Sequence, residues 1–317
     1  MKVNEIKKEL EKIYDEYRSK TLGELNAIKY VGINDEKDIV VLIVEVLEKG
    51  GAEEADLKRK LAKAIKIDLG FSGIKIQFEE AKNSINIASK DTKFILIGGQ
   101  KGGVGRSTIT INLAYALKNA NKKVAVIDCD IYNASIAQMM KIRDQGLNVD
   151  NNNKIIPYSV DEIEFISTDF FQEYKEPVMW KGEMLSSMIN NYLFQVAWSK
   201  DLDYILLDLG AGTGDILMDI QSQIPSLDAL IITLKDRNSL YQSLKTYKAL
   251  QDLNINILGF VVNKSKEDKE VKSYLEDNTK SEVLTFINDS NLDDKYKYQD
   301  KDAISSINDL ANMIIIQ

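Results

Sequence analysis

The chain has no histidine and a single cysteine, Cys129, among its 317 residues. Without imidazole, Ser-His-Asp triads and histidine metal sites are excluded. With one thiol, the chain can form neither an intramolecular disulfide nor a C-x-x-C metal site, so a metal cluster would need ligands from several chains. Proline is scarce: Pro157, Pro177 and Pro225 are the only three, all outside the strongest strand candidates. Long apolar runs are missing as well. The longest, Ile39 to Val44, falls far short of the roughly 20 residues a membrane-spanning helix requires, and the charged N-terminus has no signal-peptide core. No membrane attachment is expected, and the expected location is cytoplasmic. Positive charge is in deficit, with 41 Lys and Arg against 49 Asp and Glu for a net charge of −8. Non-specific DNA affinity comes from many cationic contacts to phosphate, so DNA is a disfavoured partner that only a local basic face could engage.

Hydrophobic residues at 44% and charged residues at 28% are ordinary for a globular protein, and the length predicts two domains. In residues 1–20, Val3, Ile6, Leu10, Ile13, Tyr14 and Tyr17 recur at helical spacing, which predicts a surface helix with one apolar face. Strand-like runs follow at 27–31 and 38–47, then an amphipathic stretch at 55–67 with Leu57, Leu61, Ile65 and Ile67 on one face, then an alternating segment at 73–78. Together they predict a small α+β domain of order α-β-β-α-β over residues 1–80. Polar residues at 81–92 read as a linker. From 93 to 317, strand candidates at 94–98, 123–128, 163–167, 204–208, 229–233 and 257–263 alternate with helical patterns. That alternation predicts an α/β fold with a doubly wound, mainly parallel sheet.

The first strand of this domain runs into Leu96-Ile-Gly-Gly-Gln-Lys-Gly-Gly-Val-Gly-Arg-Ser-Thr. A strand, a glycine-rich turn and a helix make a phosphate loop, because glycines let successive backbone N–H groups curl around phosphate oxygens at the helix N-terminus. Gly102, Gly103 and Gly105 supply the curl, with Val104 between them; Ser107 and Thr108 supply hydroxyls, and Ile109, Ile111, Leu113 and Leu117 form the helical stripe behind. Two positions depart from G-x-x-x-x-G-K-[ST]: Gln100 replaces the first glycine, and Arg106 replaces the lysine. A dinucleotide fold is the weaker alternative, since residues 98–108 contain no G-x-G-x-x-G.

Acidic residues end two later strands. Asp128 and Asp130 flank Cys129 at a strand's carboxyl end, where a carboxylate can orient an attacking water or support Mg²⁺, or else cap the next helix. Asp208 closes Tyr204-Ile-Leu-Leu-Asp before Leu209-Gly-Ala-Gly-Thr-Gly-Asp, a Walker B arrangement. Its carboxylate can hold a water on Mg²⁺, and Gly212 can offer a backbone N–H to a γ-phosphate.

Gln100-Lys-Gly-Gly-Val-Gly-Arg-Ser-Thr resembles the deviant Walker A loop of the MinD/ParA group. Asp128-Cys-Asp-Ile-Tyr-Asn-Ala-Ser is similar to the D-A-D-I-Y-G-P-S segment of the Mrp/ApbC family within that group. Pro177-Val-Met-Trp-Lys-Gly-Glu-Met-Leu is similar to its P-V-x-W-R-G-x-M-L, and Asp208-Leu-Gly-Ala-Gly-Thr-Gly-Asp to its D-L-P-P-G-T-G-D. The N-terminal module resembles the MIP18-like domain that precedes many Mrp P-loop domains, and the whole looks most like the SalA-type branch in Gram-positive bacteria. The resemblance implies an ATP/ADP-binding, Mg²⁺-dependent homodimer whose family role is carrying iron–sulfur clusters. It implies that Lys101 reaches the partner subunit's nucleotide, that Gly103 and Gly105 meet phosphates, that Ser107 meets Mg²⁺ and Thr108 the α-phosphate, that Asp130 orients water, and that Asn263 reads adenine.

Three departures shape the functional expectation. Cluster-carrying members use a C-x-x-C pair after the adenine-binding strand, yet residues 263–291 hold no cysteine, so cluster transfer by that route is not expected. Arg106 keeps the lysine's charge on a longer, planar, forked group. Gly210-Ala in place of Pro-Pro loosens the turn after Asp208. The leading expectation is therefore an Mrp/ApbC-like nucleotide-binding protein with slow ATP hydrolysis and the family's cluster-carrier role; the alternative is a SalA-like regulatory or scaffold role toward an unidentified protein partner or DNA, without cluster chemistry.

Overall fold

The computed structural model describes all residues except 1–2, 19, 26, 35–37, 47–48, 81–91, 143–147, 152, 171–181, 212–213, 225 and 317. The chain divides into two compact units, Met1–Ser84 and Ile85–Gln317.

The first unit opens with helix α1 (Val3–Leu10), followed by the short antiparallel ribbon β1 (Tyr14–Asp15) and β2 (Lys20–Thr21). Strands β3 (Ile28–Asn34) and β4 (Ile39–Val46) are antiparallel; helix α2 (Ala52–Lys63) then runs into a wider π turn at Ala64–Asp68, and β5 (Gly73–Glu80) returns parallel to β4. Residues alternate in burial along β4, so its inward face (Val40, Leu42, Val44, Val46) meets Leu57, Leu61 and Ile65 from the helical segment and Ile6 and Leu10 from α1. The helix expected over 1–20 ends at Leu10. Tyr14 and Tyr17, which share the helical spacing, are exposed instead: from Glu11 the backbone turns, and Leu22 and Gly23 donate hydrogen bonds back to Ile13 and Glu11. The order α-β-β-α-β otherwise holds, with the ribbon added.

The second unit is built on an eight-stranded sheet of order β13-β12-β11-β6-β10-β7-β9-β8. Its strands are β6 (Lys93–Gly98), β7 (Val124–Asp128), β8 (Tyr158–Val160), β9 (Ile163–Ile166), β10 (Tyr204–Asp208), β11 (Leu227–Thr233), β12 (Asn256–Asn263) and β13 (Val283–Ile287). All pairings are parallel except β8 with β9. Residues of one strand feed both faces: Phe94 and Leu96 pack one way, Ile95 and Ile97 the other, which is why these strands read as unbroken apolar runs. On one face lie α5 (Gly182–Phe194), α6 (Gly214–Gln223), α7 (Arg237–Asp252) and α8 (Lys269–Asn278); on the other lie α3 (Arg106–Asn119), α4 (Ile136–Met139) and α9 (Lys301–Ile316).

The expected α/β, doubly wound sheet is the one found. The edge strands β8 and β13 escaped the sequence pattern for physical reasons. β8 has only three residues and turns into β9 through Asp161 and Glu162, both at positive φ; β13 is only half-buried along its middle, so neither shows a continuous apolar run. In α9 the buried face is Ala303, Ile307, Leu310, Ala311 and Ile314, and Ile304 is exposed.

Candidate nucleotide site

The sheet delivers three chain segments to one edge. β6 lies between β11 and β10, and β10 lies between β6 and β7, so the chain reverses its direction of growth beside β6. In open α/β sheets such a point, at the carboxyl ends of the strands, is where ligands bind. Gly99 to Gly105 leave β6 here and enter α3. Gly105 is the residue before the helix, with φ 91° and ψ 25°, and no side chain caps the first turn. Gly103 also has a positive φ, and a Cβ on either Gly102 or Gly103 would meet nothing within 4 Å. The result is an open, backbone-lined concavity at the N-terminus of a 14-residue helix, the geometry that suits phosphate.

Two carboxylates stand side by side behind this loop. Asp208 pairs in register with Asp128 on β7 and with Ile97 on β6. Both acids are fully or almost fully buried. Asp128 is wrapped by its own neighbourhood: Oδ2 accepts from Ser135 N at 3.0 Å, Ile136 N at 3.2 Å and Ser167 Oγ at 3.1 Å, and Oδ1 accepts from Asp130 N at 3.2 Å. It thus caps α4 while facing the site. Burial, reinforced by Asp208, pushes its pKa well above the usual carboxylate range, against the pull of those donors.

Asp208 is less well satisfied. Thr110 Oγ1 donates to Oδ1 at a long 3.4 Å. Ser107 lies close enough to favour the charged form, yet no donor reaches the buried Oδ2 at hydrogen-bond geometry. Burial raises its pKa to about 6. A buried carboxylate oxygen without a donor is costly, and a hard cation over Ser107 and Asp208 would relieve it. Among the described residues no group of three or more His, Cys, Asp or Glu could hold a metal ion. Mg²⁺ fits nonetheless, since it is commonly held by one or two carboxylates together with substrate phosphates and water.

Arg106 is engaged by its own chain. Its guanidinium Nη1 donates to the Gly99 carbonyl and, at 3.2 Å, to that of Lys101, and Nη2 lies 3.8 Å from Asp130 Oδ2. Lys101 is likewise engaged within its own chain. Its Nζ lies 3.0 Å from both carboxylate oxygens of Asp236 and 2.9 Å from Ser239 Oγ. Asp236 is the N-cap of α7 and accepts from Ser239 N; hydrogen bonds from Ser239, with the Lys101 contact, hold its pKa down at about 2. Asn263, at the end of β12, is buried. Its Nδ2 donates to the Val104 carbonyl at 2.8 Å, and its Oδ1 accepts from Lys264 N. A Cβ on Gly105 would collide with that amide, so the glycine is required for close approach as well as for its backbone conformation.

The structure therefore gathers Lys101, Gly102, Gly103, Val104, Gly105, Arg106, Ser107, Thr108, Asp128, Asp130, Asp208 and Asn263 at one sheet edge. Gly212 lies outside the described residues, as does 171–181, which includes most of the segment beginning at Pro177. Four contributors were not anticipated from sequence: Asp236, Ser239, Thr110 and Ser167. Asp236 carried a readable signal, an aspartate three residues before a serine at the start of an amphipathic helix. Thr110 and Ser167 carried none, because their partners are distant in the chain.

Residues 90–286 match the model of the ParA family described as NUBPL iron-transfer P-loop NTPase. The chain belongs to that family. It is 30% identical over 274 residues to the iron-sulfur cluster carrier protein of Bacillus subtilis, an alignment spanning 82% of this chain and 77% of that one. Against the iron-sulfur cluster carrier protein of Haemophilus influenzae the identity is 29% over 266 residues, 83% of this chain and 72% of the other. These matches bear out the Mrp/ApbC resemblance. Among solved structures, the cell division ATPase MinD of Pyrococcus furiosus superposes with a TM-score of 0.53 at 20% identity, over 71% of this chain and 98% of MinD, which supports the MinD/ParA fold. No helix among the described residues is long and apolar enough to cross a membrane.

Proposed function

We propose that this family member is a cytoplasmic, Mg²⁺-dependent ATP switch that dimerises around nucleotide and hydrolyses ATP slowly. The observation that carries the reading is the donorless Oδ2 of Asp208 beside an uncapped, glycine-lined helix N-terminus: one half lacks a cation and the other lacks an anion, and Mg·ATP supplies both. Gly102 to Thr108 would hold the phosphates, Ser107 and Asp208 the cation with Asp128 behind them, and Asp130 the attacking water. Gly212 would meet the γ-phosphate. Asn263 supports the loop through Val104, and adenine reading is assigned to the same strand end. Lys101, once free of Asp236, would reach the partner's nucleotide. Slow turnover follows from Arg106, whose fork is occupied by loop carbonyls and Asp130 rather than held ready for the transition state.

Titration calorimetry of the full chain with ATP and ADP, each with Mg²⁺, tests this reading; absence of heat with both would sink it. Arg106→Lys should raise single-turnover hydrolysis severalfold, and an unchanged rate would remove Arg106 as the cause of slowness.

Within this reading, we favour a regulatory or scaffold role over cluster delivery. The relatives are named cluster carriers, but Cys129 is fully buried, and burial together with the acids Asp128, Asp208 and Asp130 pushes its thiol pKa upward. Thiolate, not thiol, ligates iron. Anaerobic reconstitution with iron and sulfide decides between the two roles: a visible-absorbing cluster that passes to an apo-acceptor would establish delivery. The N-terminal unit is assigned to the MIP18-like class on its α-β-β-α-β order.

A further inference from the structure

We propose that Gly210 is a positioning residue for nucleotide binding, because the space left by its missing side chain lets Asp130 form a latch with Arg106. The proposal rests on the nucleotide-switch reading above.

A Cβ built on Gly210 would lie 2.5 Å from both Cγ and Oδ1 of Asp130 and 2.8 Å from Oδ2. Gly210 is not among the glycines at positive φ, so its backbone does not demand glycine; the space does. Into that space falls the carboxylate that faces Arg106 Nη2 at 3.8 Å. Asn133 Nδ2 makes only a long contact to the same carboxylate, 3.4 Å to Oδ1, so the other side of Asp130 is loosely held. Arg106 in turn donates to the carbonyls of Gly99 and Lys101. Asp130 and Gly210 follow the ends of β7 and β10, and Arg106 opens α3 after the loop that leaves β6.

The consequence concerns the resting state. With Asp130 seated over Gly210, the cation of the phosphate loop is neutralised by its own chain, and incoming phosphates must displace that contact before Arg106 can serve them. A side chain at 210 forces the carboxylate away, since the clashing atoms are the movable end of Asp130 rather than backbone. Arg106 is then available to the ligand from the start. The loose turn expected from glycine at 210 is thus replaced by a steric role.

The test is Mg·ATP affinity of the full chain by calorimetry, with single-turnover hydrolysis to separate KM from kcat. Exposed to partly buried ion pairs contribute up to about 1 kcal/mol, so Gly210→Ala should tighten ATP about fivefold through a lower Kd and KM. The tightening should disappear when Arg106→Lys is already present, because lysine does not span to Asp130. Asp130→Asn should also tighten binding, and adding Gly210→Ala to it should change nothing further. A shift of equal size in both residue-106 backgrounds, or none in either, overturns the latch. Should Gly210→Ala fail to fold, Asp130→Asn with and without Arg106→Lys judges alone: coupling below about twofold overturns the proposal. Failure of the wild-type chain to bind any adenine nucleotide would instead refute the functional reading itself.

Discussion

Each compact unit buries a group of acids, and the two groups are finished differently. In the small unit Asp15 and Glu53 converge on Arg18, whose Nε lies 2.7 Å from Asp15 Oδ2 and 2.8 Å from Glu53 Oε1. Its Nη2 also donates to the Glu45 carbonyl at 3.0 Å. Burial pushes Asp15 up, but hydrogen bonds from Glu53, Arg18 and the Tyr17 backbone outweigh it and hold the acid below its usual range. At the sheet edge of the larger unit, Asp128, Asp130 and Asp208 face one nearby guanidinium, 3.8 Å from Asp130, and Asp208 is pushed up to about 6. The first group is closed by a cation of its own, Arg18, which ties the β1–β2 ribbon and α2 to the sheet. The second is left short of positive charge. Buried charge that is satisfied internally reads as architecture, and buried charge that is not reads as a site.

The strongest way to break this comparison is to remove the closing cation. Arg18→Met leaves two buried carboxylates without their partner and should cost about 3–5 kcal/mol of the small unit's stability, measured by urea unfolding of the full chain with hydrogen exchange to assign the loss. A cost under about 1 kcal/mol would mean the cluster is not closed in the sense argued. At the open site the same kind of deletion should have the opposite sign in the absence of ligand. Asp208→Asn removes a buried carboxylate whose pKa is raised from 3.8 to about 6; at pH 8 it should stabilise the ligand-free protein by about 2 kcal/mol, while weakening Mg·ATP at least about tenfold.

The pH response sharpens the same contrast. Asp208, with its folded pKa raised, contributes stability that is fully present below its unfolded pKa of about 4 and is lost as pH rises through about 6. Asp15, with its folded pKa depressed, contributes stability that is present above the ordinary carboxylate range and is lost as pH falls below it. Hydrogen exchange from about pH 8 down to below the ordinary carboxylate range should therefore show the small unit weakening only at the acid end and the β10 strand end weakening toward base. Mg²⁺ with nucleotide should abolish the second trend, and identical trends in both units would contradict the comparison. The smallest effect is expected at Lys101. Asp236→Asn keeps an N-cap acceptor but removes the countercharge of a half-exposed ion pair, so stability should fall by less than about 1 kcal/mol. Nucleotide-dependent dimerisation should tighten about threefold in analytical ultracentrifugation, and a weaker dimer would assign Asp236 to the interface instead of to holding Lys101 back.

Much of this molecule was legible in the sequence because much of it is local. The six strands recognised in the P-loop unit are nearly continuous apolar runs, since both their faces are covered. The phosphate loop announces itself through glycine spacing, and Asp128 and Asp208 through their places at strand ends. What escaped was non-local. β8 and β13 are edge strands whose pairing, not composition, makes them strands. Leu10 ends α1 because the following residues find partners in the β1–β2 ribbon, a contact that helical periodicity at Ile13, Tyr14 and Tyr17 does not encode.

By itself the sequence determined the family, the alternating α/β order, and the residue types at the loop: glycines that permit positive φ, hydroxyls, an arginine and three acids. Only the tertiary structure decided how they face one another. Asp128 and Asp208 become register partners because β10 inserts between β6 and β7. Lys101 meets an α7 cap 135 residues further on, and Arg106 turns back toward Asp130, whose carboxylate sits against Gly210 beyond a third strand. The reason is physical: residue type and spacing set what a side chain can do, whereas its direction and charge state depend on what the fold packs against it.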